Sequence, residues 1–210
     1  MSKTHRLRLP LSADDVAAIH AGDLVYLDGD IVVTIGLPTH QRMIDCAEQG
    51  VPLPVDLQEG AFLHLSSYNR ESDTPSGYEA LYMNPTTSTR YTAYMPKLIR
   101  AYRLRVIGGK GGLDLESAKA MQEVGCIYLS FLGGGATLLA QSIKEVVSVH
   151  WEDYISQFRL VTLRVEGLGP ATVGIDAHGQ SLYDDIKATA LERLPAILEE
   201  LDRTRLQKTP

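Results

Sequence analysis

Apolar and polar residues follow strand-like patterns through much of the first third of the chain. Two β-rich runs at residues 24–27 and 31–35 flank Asp28-Gly29, a dipeptide that is typical of tight hairpin turns. These runs therefore predict a β-hairpin. Another apolar run, residues 61–66, predicts a further strand.

Helical patterns are interspersed with these strands. Ser12 is a suitable N-cap for a short helix over residues 12–20, because aspartates follow it in the first turn. A second helix is predicted for residues 38–49. Residues 87–101 also have a helical pattern, which Pro96 should interrupt or kink.

In the second half, strands and helices alternate. The patterns predict strands at 104–107, 127–131 and 146–150, helices at 116–124 and 136–143, long β runs at 159–165 and 171–175, and a final helix at 182–205 that is broken or kinked near Pro195. Strands that precede helices in this order favour one mixed α/β domain spanning residues 1–210.

Composition narrows the function classes. The chain has 210 residues, 20 Lys+Arg against 26 Asp+Glu, and a formal net charge of −6. A nonspecific nucleic-acid binder needs a surplus of cations, so we expect no nucleic-acid partner. The sequence contains no apolar run of about 18 residues and no apolar segment behind its basic N-terminus. We therefore expect a soluble, cytoplasmic protein without a membrane partner.

The two cysteines do not form a metal-binding motif. Cys46 and Cys126 lie far apart in the chain, and neither is part of a CxxC pair or a Cys/His cluster. An iron–sulfur cluster is usually held by several thiolates, so we expect no metal ligands in this chain. Both cysteines are better explained as small buried hydrophobic residues.

The first candidate motif is the hydroxyl-rich stretch over residues 84–91. It places Thr86, Thr87 and Ser88 at a predicted helix start, with Arg90 about one turn further on. Main-chain N–H groups at a helix start, together with hydroxyls and a guanidinium, can bind a carboxylate or a phosphate. The alternative is that a threonine only caps the helix and that Arg90 is a solvated surface residue.

The second motif is glycine-rich. A predicted strand leads into Gly108-Gly109-Lys110-Gly111-Gly112, where glycines allow a ligand to approach the main chain and Lys110 supplies a charge. The stretch is not a P-loop, because no serine or threonine follows the lysine. A tight turn whose lysine faces water is the alternative.

The remaining candidates are weaker. Residues 132–136 contain three successive glycines between a predicted strand and a helix, which fits either close packing or a main-chain ligand contact. His40 lies near a predicted helix start, where it can contact a substrate or simply cap a surface helix. The spacing of His64, His150 and His178 does not suggest a metal site.

In this order, the motifs resemble the β subunit of the class I iron–sulfur fumarase and L-tartrate dehydratase family, which is the C-terminal domain in single-chain enzymes. The shared segments are residues 22–27, 39–42, 54–57, 85–90, 109–113, 133–136, 149–151, 169–170 and 175–179. The similarity covers residues 8–188, and the ordered pair formed by residues 85–90 and 109–113 is its most specific part.

The resemblance implies a fold, a partner and an activity. The fold is a swivelling β/β/α three-layer domain with mixed sheets and flanking helices. The partner is an α subunit that carries a [4Fe–4S] cluster, so the assembly is a hetero-oligomer. The activity is that of a hydro-lyase, which reversibly adds water to or removes it from a small carboxylic acid such as fumarate, malate or tartrate. The alternative is a catalytically silent subunit that binds carboxylates or serves assembly.

The resemblance also assigns roles to individual residues. Thr86 matches a threonine at the proton-transfer position, and Arg90 and Lys110 match residues that bind the substrate carboxylate. We therefore expect Thr86 and Lys110 to be catalytic. The expected substrate-binding residues are Arg90, Thr87, Ser88, His40, Gly109, Gly111 and Gly112.

One departure bears on specificity. Family members usually carry an Arg-Asp pair where this chain has Gly36-Leu37, so a cation is lost and apolar surface is gained. Three explanations remain open. In the first, the substrate has a less anionic end that Leu37 contacts. In the second, a cationic residue from elsewhere binds the carboxylate in place of the missing arginine. In the third, catalysis has been lost. We favour a changed substrate.

Overall fold

The computed structural model describes residues 2–206 and shows a mixed α/β protein, as predicted. The strands are β1 Thr4–Arg8, β2 Leu24–Val33, β3 Ala61–Leu63, β4 Leu65–Glu71, β5 Tyr78–Pro85, β6 Val106–Gly109, β7 Ile127–Ser130, β8 Ile143–His150 and β9 Leu160–Ile175. The helices are α1 Ala13–Ala17, α2 Leu37–Gln49, α3 Met95–Tyr102, α4 Leu115–Val124, α5 Ala136–Gln141 and α6 Leu182–Leu206, with short 3₁₀ helices at Ser88–Tyr91 and Ser156–Phe158. Residue 1 and residues 207–210 of the predicted domain lie outside the described residues.

The main sheet closes on itself. Strands β2, β3, β6, β7 and β9 follow one another as hydrogen-bonded neighbours, and β9 also pairs with β2 to complete a barrel-like ring. Strand β1 extends this sheet beside the first half of β2, and β8 extends it beside the first half of β9. The second sheet is the hairpin of β4 and β5, which pair antiparallel.

Alternating side chains divide the core into two clusters. Leu63 and Leu129 point to one side of their strands and pack in a cluster made mostly of strand residues. Phe62 and Tyr128 point to the other side and pack with residues of α2, α3 and α4. Each strand of the ring thus contributes to both clusters, which fixes its register.

Three neighbouring strands of the ring run in the same direction. Strand β6 pairs parallel with both β3 and β7, so the carboxyl ends of all three lie at one edge. The segments that leave this edge begin at His64, Lys110 and Phe131. The edge therefore brings together loops that are distant in the sequence.

The predicted hairpin at Asp28-Gly29 is wrong. Strand β2 continues through both residues, and its antiparallel partner is β9, with register shifts on either side of Leu27. Gly29 has a φ of +116°, and a Cβ atom built there would lie 3.0 Å from the Cβ of Leu9. The dipeptide produces an irregularity where another segment packs closely, rather than a chain reversal.

Other strand boundaries also differ from the prediction. The two β runs at 159–165 and 171–175 belong to the single strand β9, which is long enough to pair with three different strands. The predicted strand 61–66 is divided at His64 into β3 and β4, which lie in different sheets. The sequence patterns did not predict β1 or β5.

The helices agree better with the sequence. Ser12 caps α1 as predicted, and Asp15 completes a capping box with it. Residues 87–101 contain a 3₁₀ helix and the separate helix α3, and Pro96 lies in the first turn of α3 instead of kinking it. Helix α6 is assigned without a break and includes Pro195. Among the helices of residues 2–206, none is both long and apolar enough to cross a membrane.

A buried carboxylate connects a loop in the N-terminal part of the chain with the turn that precedes α6. Asp176 follows β9 and accepts hydrogen bonds of 3.0 Å from the main-chain N–H groups of His178 and Gln180, and a third, also 3.0 Å, from Ala21. The first two bonds form the turn before α6, and the third holds the loop between α1 and β2. One side chain therefore joins these two loops.

We expect Asp176→Ala to lower the free energy of unfolding by about 3 kcal/mol, because it leaves three main-chain donors without their charged acceptor. Urea unfolding followed by circular dichroism measures this difference. The matched control is Asp73→Ala, since Asp73 is exposed and accepts no hydrogen bond within the described residues. Equal stability of the two variants would contradict a role for Asp176 in joining the loops.

Candidate functional site

Main-chain hydrogen bonds join the two motifs that the sequence singled out. The N–H of Thr86 donates to the carbonyl of His64 over 2.9 Å, and the N–H of Lys110 donates to the carbonyl of Thr86 over 3.0 Å. The N–H of Ser88 donates in turn to the carbonyl of Lys110 over 2.8 Å. We call residues 86–90 and 109–112 the cradle, because they form one hydrogen-bonded unit at the carboxyl edge of the parallel strands.

Glycine is required where the two halves of the cradle meet. A Cβ atom at Gly109 would lie 2.2 Å from the Oγ of Ser88 and 2.9 Å from the carbonyl oxygen of Thr86. A Cβ at Gly111 would lie 3.3 Å from the Cγ2 of Thr87, and Gly111 has a φ of +80°. Gly109 therefore permits close approach of two main chains, and Gly111 permits a left-handed turn.

The side chains of both predicted cations lack a polar partner within the described residues. Arg90 is exposed and Lys110 is half-buried, and within residues 2–206 neither side chain forms a salt bridge or a hydrogen bond. The side chain of Lys110 runs along Gly133, where a built Cβ would lie 3.7 Å from its Cδ and 3.9 Å from its Nζ. The third glycine-rich motif thus lies beside Lys110. Two cations without anionic partners are suited to binding an anion.

The three hydroxyls of the first motif differ in accessibility. Thr86 and Thr87 are half-buried, and their side chains form no hydrogen bond within the described part of the chain. Ser88 is buried, and its Oγ lies 2.9 Å from both the Nδ1 of His64 and the hydroxyl of Tyr128. The hydroxyl of Ser88 is therefore committed to internal hydrogen bonds, whereas the two threonines remain available to a ligand.

His40 lies behind the cradle and is fully buried. Its ring stacks on Tyr91 with 4.3 Å between centroids, and its Nδ1 lies 2.6 Å from the carbonyl oxygen of Gly36. Burial lowers the pKa of His40 to about 4, against the opposing effect of the Gly36 carbonyl. In this position the ring supports the 3₁₀ helix and has no surface at which to contact a ligand.

The structure adds tyrosines and a histidine to the residues expected from the sequence. His64 and Tyr128 reach Ser88, and Gly112 donates its N–H to the Tyr128 hydroxyl over 3.3 Å. The ring of Tyr183 fills the space that a Cβ at Gly112 would need. These contacts join residues at least 16 positions apart, so no local sequence signal predicted them.

The structure also explains the glycine at position 36. A Cβ at Gly36 would lie 2.3 Å from the Oγ1 of Thr39 and 2.7 Å from the Cβ of Phe158. Any larger residue requires the segment around Phe158 to move. Leu37 follows at the start of α2 and is 45% exposed, so this position adds apolar surface.

The cysteines do not supply a metal site in this chain. Cys126 is buried, and burial raises the pKa of its thiol far above the ordinary range, which disfavours the thiolate form that binds metals. Cys46 lies on α2 and is half-buried. Residues 2–206 contain no group of three or more His, Cys, Asp or Glu side chains that could hold a metal ion.

Comparison with known proteins identifies similar sequences. The family model described as Fumarase C-terminus matches residues 2–186. The putative L(+)-tartrate dehydratase subunit beta of Methanocaldococcus jannaschii is 31% identical over 90% of this chain and 95% of its own length. The L(+)-tartrate dehydratase subunit beta of Escherichia coli (strain K12) is 30% identical over 93% of this chain and 94% of its own length. A putative fumarate hydratase class I of Geobacillus stearothermophilus is 29% identical over 92% of this chain, which spans 36% of that longer protein.

We expect Gly109→Ala to destabilise the protein by about 1–3 kcal/mol, because its methyl group overlaps with Ser88 and Thr86 and must separate the two halves of the cradle. Gly133→Ala is the matched control, since its Cβ meets only ordinary contacts with Lys110. Urea unfolding of both variants measures the difference. Equal stability would show that the two main chains are not held in close contact.

The stability of the protein should depend on pH through His40. Because its pKa is about 4 when folded and about 6.5 when unfolded, the unfolded chain binds more protons between these values. The stabilising contribution is complete above pH 6.5 and is lost as the pH falls towards 4. Between pH 7.5 and 5 we expect the native protein to lose about 2 kcal/mol more than His40→Asn, which keeps a donor for Gly36 but does not titrate. Urea unfolding at both pH values measures this, and equal losses would contradict a buried, neutral His40.

Proposed function

The chain belongs to the fumarase C-terminus family, and on this premise we propose that it is the β subunit of a hydro-lyase acting on a small hydroxy or unsaturated carboxylic acid. Hydro-lyases of this kind add water to a carbon–carbon double bond or remove it. The observation that carries the proposal is that the cations Arg90 and Lys110 and the hydroxyls of Thr86 and Thr87, all on the cradle, have no side-chain hydrogen bond or salt bridge within residues 2–206.

The two cations account for substrate binding. A carboxylic acid substrate is anionic at neutral pH, and each hydrogen bond to a charged group contributes roughly 1.5–3 kcal/mol. Arg90 can bind a carboxylate through two parallel N–H donors, whereas Lys110 acts as a compact charge on a flexible side chain. Neither side chain forms a salt bridge within the described residues. A carboxylate can therefore bind to them without displacing an internal partner.

Thr86 is proposed to act at the proton-transfer position. Its main chain is held on both sides, by the carbonyl of His64 and the N–H of Lys110, so its side chain is well positioned. An alcohol is a weak base, and within the described residues no carboxylate bonds to this hydroxyl. A carboxylate that activates this hydroxyl as a base would therefore come from the substrate or from another subunit. Thr87 is a second contact for the substrate.

The chain requires an α subunit for the remaining chemistry. A Lewis acid activates the leaving hydroxyl group, and within the described residues the two cysteines do not form a cluster site. We therefore assign the [4Fe–4S] cluster to an α subunit in a cytoplasmic hetero-oligomer. The barrel-like ring with its helix-covered face then acts as a swivelling β/β/α domain that carries the cradle towards that subunit.

Leu37 and Gly36 favour a substrate with a less anionic end. The packing of Phe158 and Thr39 against Gly36 leaves no space for a larger residue, and the exposed Leu37 supplies an apolar contact.

We test the proposal by anaerobic co-expression with the α subunit and assay of hydroxy acids and their alkene products by ultraviolet absorbance. Turnover confined to fumarate, malate and tartrate would contradict the changed specificity. Absence of turnover across the panel in a cluster-loaded complex would favour the catalytically silent subunit.

We expect Lys110→Ala to lower kcat/KM at least about a hundredfold, equivalent to about 2.7 kcal/mol of transition-state stabilisation. Lys119→Ala is the matched control, because Lys119 is exposed and pairs only with Glu116 on α4. Steady-state kinetics of the complex measure both variants. An unchanged rate for Lys110→Ala would remove Lys110 from the site.

Arg90→Lys should raise KM at least about tenfold, because lysine keeps the charge but cannot bind a carboxylate with two parallel donors. Arg8→Lys is the control, since Arg8 is exposed on β1, away from the cradle. The same kinetic assay measures the change. A KM equal to that of the native complex would exclude a bidentate contact.

A further inference from the structure

A series of buried polar groups lies beneath the cradle. The hydroxyl of Tyr128 lies 2.9 Å from the Oγ of Ser88, and this Oγ lies 2.9 Å from the Nδ1 of His64. The ring of His64 lies 5.3 Å from the ring of His40, whose Nδ1 lies 2.6 Å from the carbonyl oxygen of Gly36. This series, which we call the buried chain, runs from β7 to the start of α2.

The chemistry of each group sets the direction of donation. Burial raises the pKa of the Tyr128 phenol, so it keeps its proton and donates to Ser88. The Ser88 hydroxyl then has its own proton for the Nδ1 of His64, an arrangement that pairs with the His64 tautomer unprotonated at Nδ1. The proton of a neutral His64 therefore lies on its Nε2.

The tautomers of the two histidines are complementary. The carbonyl of Gly36 accepts only, so the Nδ1 of His40 carries the proton and its Nε2 is an acceptor. The Nε2 atoms of both rings are buried without a hydrogen-bond partner among the described residues. The Nε2 of His64 therefore carries a proton and the Nε2 of His40 a lone pair, and the two rings meet by a ring contact rather than by a hydrogen bond. Burial lowers the pKa of both imidazoles.

The buried chain is attached to the cradle at several points. The N–H of Ser88 donates to the carbonyl of Lys110, and the carbonyl of His64 accepts from the N–H of Thr86. The hydroxyl of Tyr128 accepts from the N–H of Gly112 over 3.3 Å. Ser88 and His64 therefore take part in the buried chain through their side chains and bond to the cradle on both sides of Thr86 through their main chains.

We propose that His64 is a positioning residue for the hydro-lyase reaction, acting with Tyr128 through Ser88 to hold Thr86 in place. This inference rests on the proposed function and adds residues to the machinery of the same site. Ser88 thereby changes from an expected substrate contact to the central member of an internal chain. A positioning role predicts loss of kcat with little change in KM, because the cations that bind the carboxylate are retained.

The test uses the complex of this chain with its α subunit. We expect Tyr128→Phe and His64→Leu to lower kcat about tenfold or more while KM stays within about twofold. His64→Asn should recover much of the loss, because its amide oxygen can accept the proton of Ser88 in place of Nδ1. Tyr82→Phe is the control, since Tyr82 is exposed on β5 and stacks only on Tyr68. Unfolding by urea accompanies each assay, so that a variant with lost stability is recognised.

A second readout does not depend on activity. Nitrogen-15 NMR of the histidine-labelled complex should show His64 protonated at Nε2 and His40 protonated at Nδ1, with both rings neutral at pH 7. The opposite tautomer or a charged His64 would contradict the hydrogen-bond directions that define the buried chain. Native kcat in a stable Tyr128→Phe variant would overturn the positioning role. An inactive native complex with the expected tautomers would instead refute the proposed function, and the positioning role with it, while leaving the buried chain established.

Discussion

The close approach of two main chains at Gly109 and Thr86 is the constraint on which the site depends. Only a residue without a side chain fits between the carbonyl of Thr86 and the Oγ of Ser88. Because the main chains meet there, Lys110 can donate to Thr86 and accept from Ser88. The residues that carry the hydroxyls and the two cations therefore belong to one hydrogen-bonded unit with the buried groups below them.

The closed ring of strands makes this approach possible. Parallel pairing of β3, β6 and β7 brings their carboxyl ends to one edge, so that residues following three separate strands become neighbours. Strand β9 closes the ring by pairing with both β7 and β2, which leaves little freedom for that edge to spread. The buried Asp176 then anchors the turn that leads into α6, whose Tyr183 packs against Gly112.

Charge and burial are divided between two layers of the site. Arg90 is exposed and Lys110 half-buried, and neither side chain has a hydrogen-bond or salt-bridge partner within residues 2–206. The groups below them, His40 and His64, are held neutral because an imidazolium would lose its hydration in this environment. The cradle therefore presents positive charge outwards, and the two imidazoles beneath it add none.

Local sequence signals predicted some features well and others poorly. Ser12 and the aspartates after it predicted α1, because a helix cap is formed by residues within one turn. Asp28-Gly29 predicted a hairpin that does not exist, because β2 runs through both residues and pairs with β1, β3 and β9. The strand 61–66 was divided at His64, since the two halves pair with different sheets.

The sequence by itself determined the family, the mixed α/β class and the two motifs that carry Arg90, Lys110 and Thr86, because these follow from residue types at short spacings. Only the tertiary structure decided that Ser88 and His40 face inwards and that His64 and Tyr128 contact Ser88 beneath the cradle. Their roles depend on hydrogen bonds and ring contacts between segments that become neighbours only when the ring of strands closes. Long-range pairing of this kind leaves no periodic trace in the sequence of either segment.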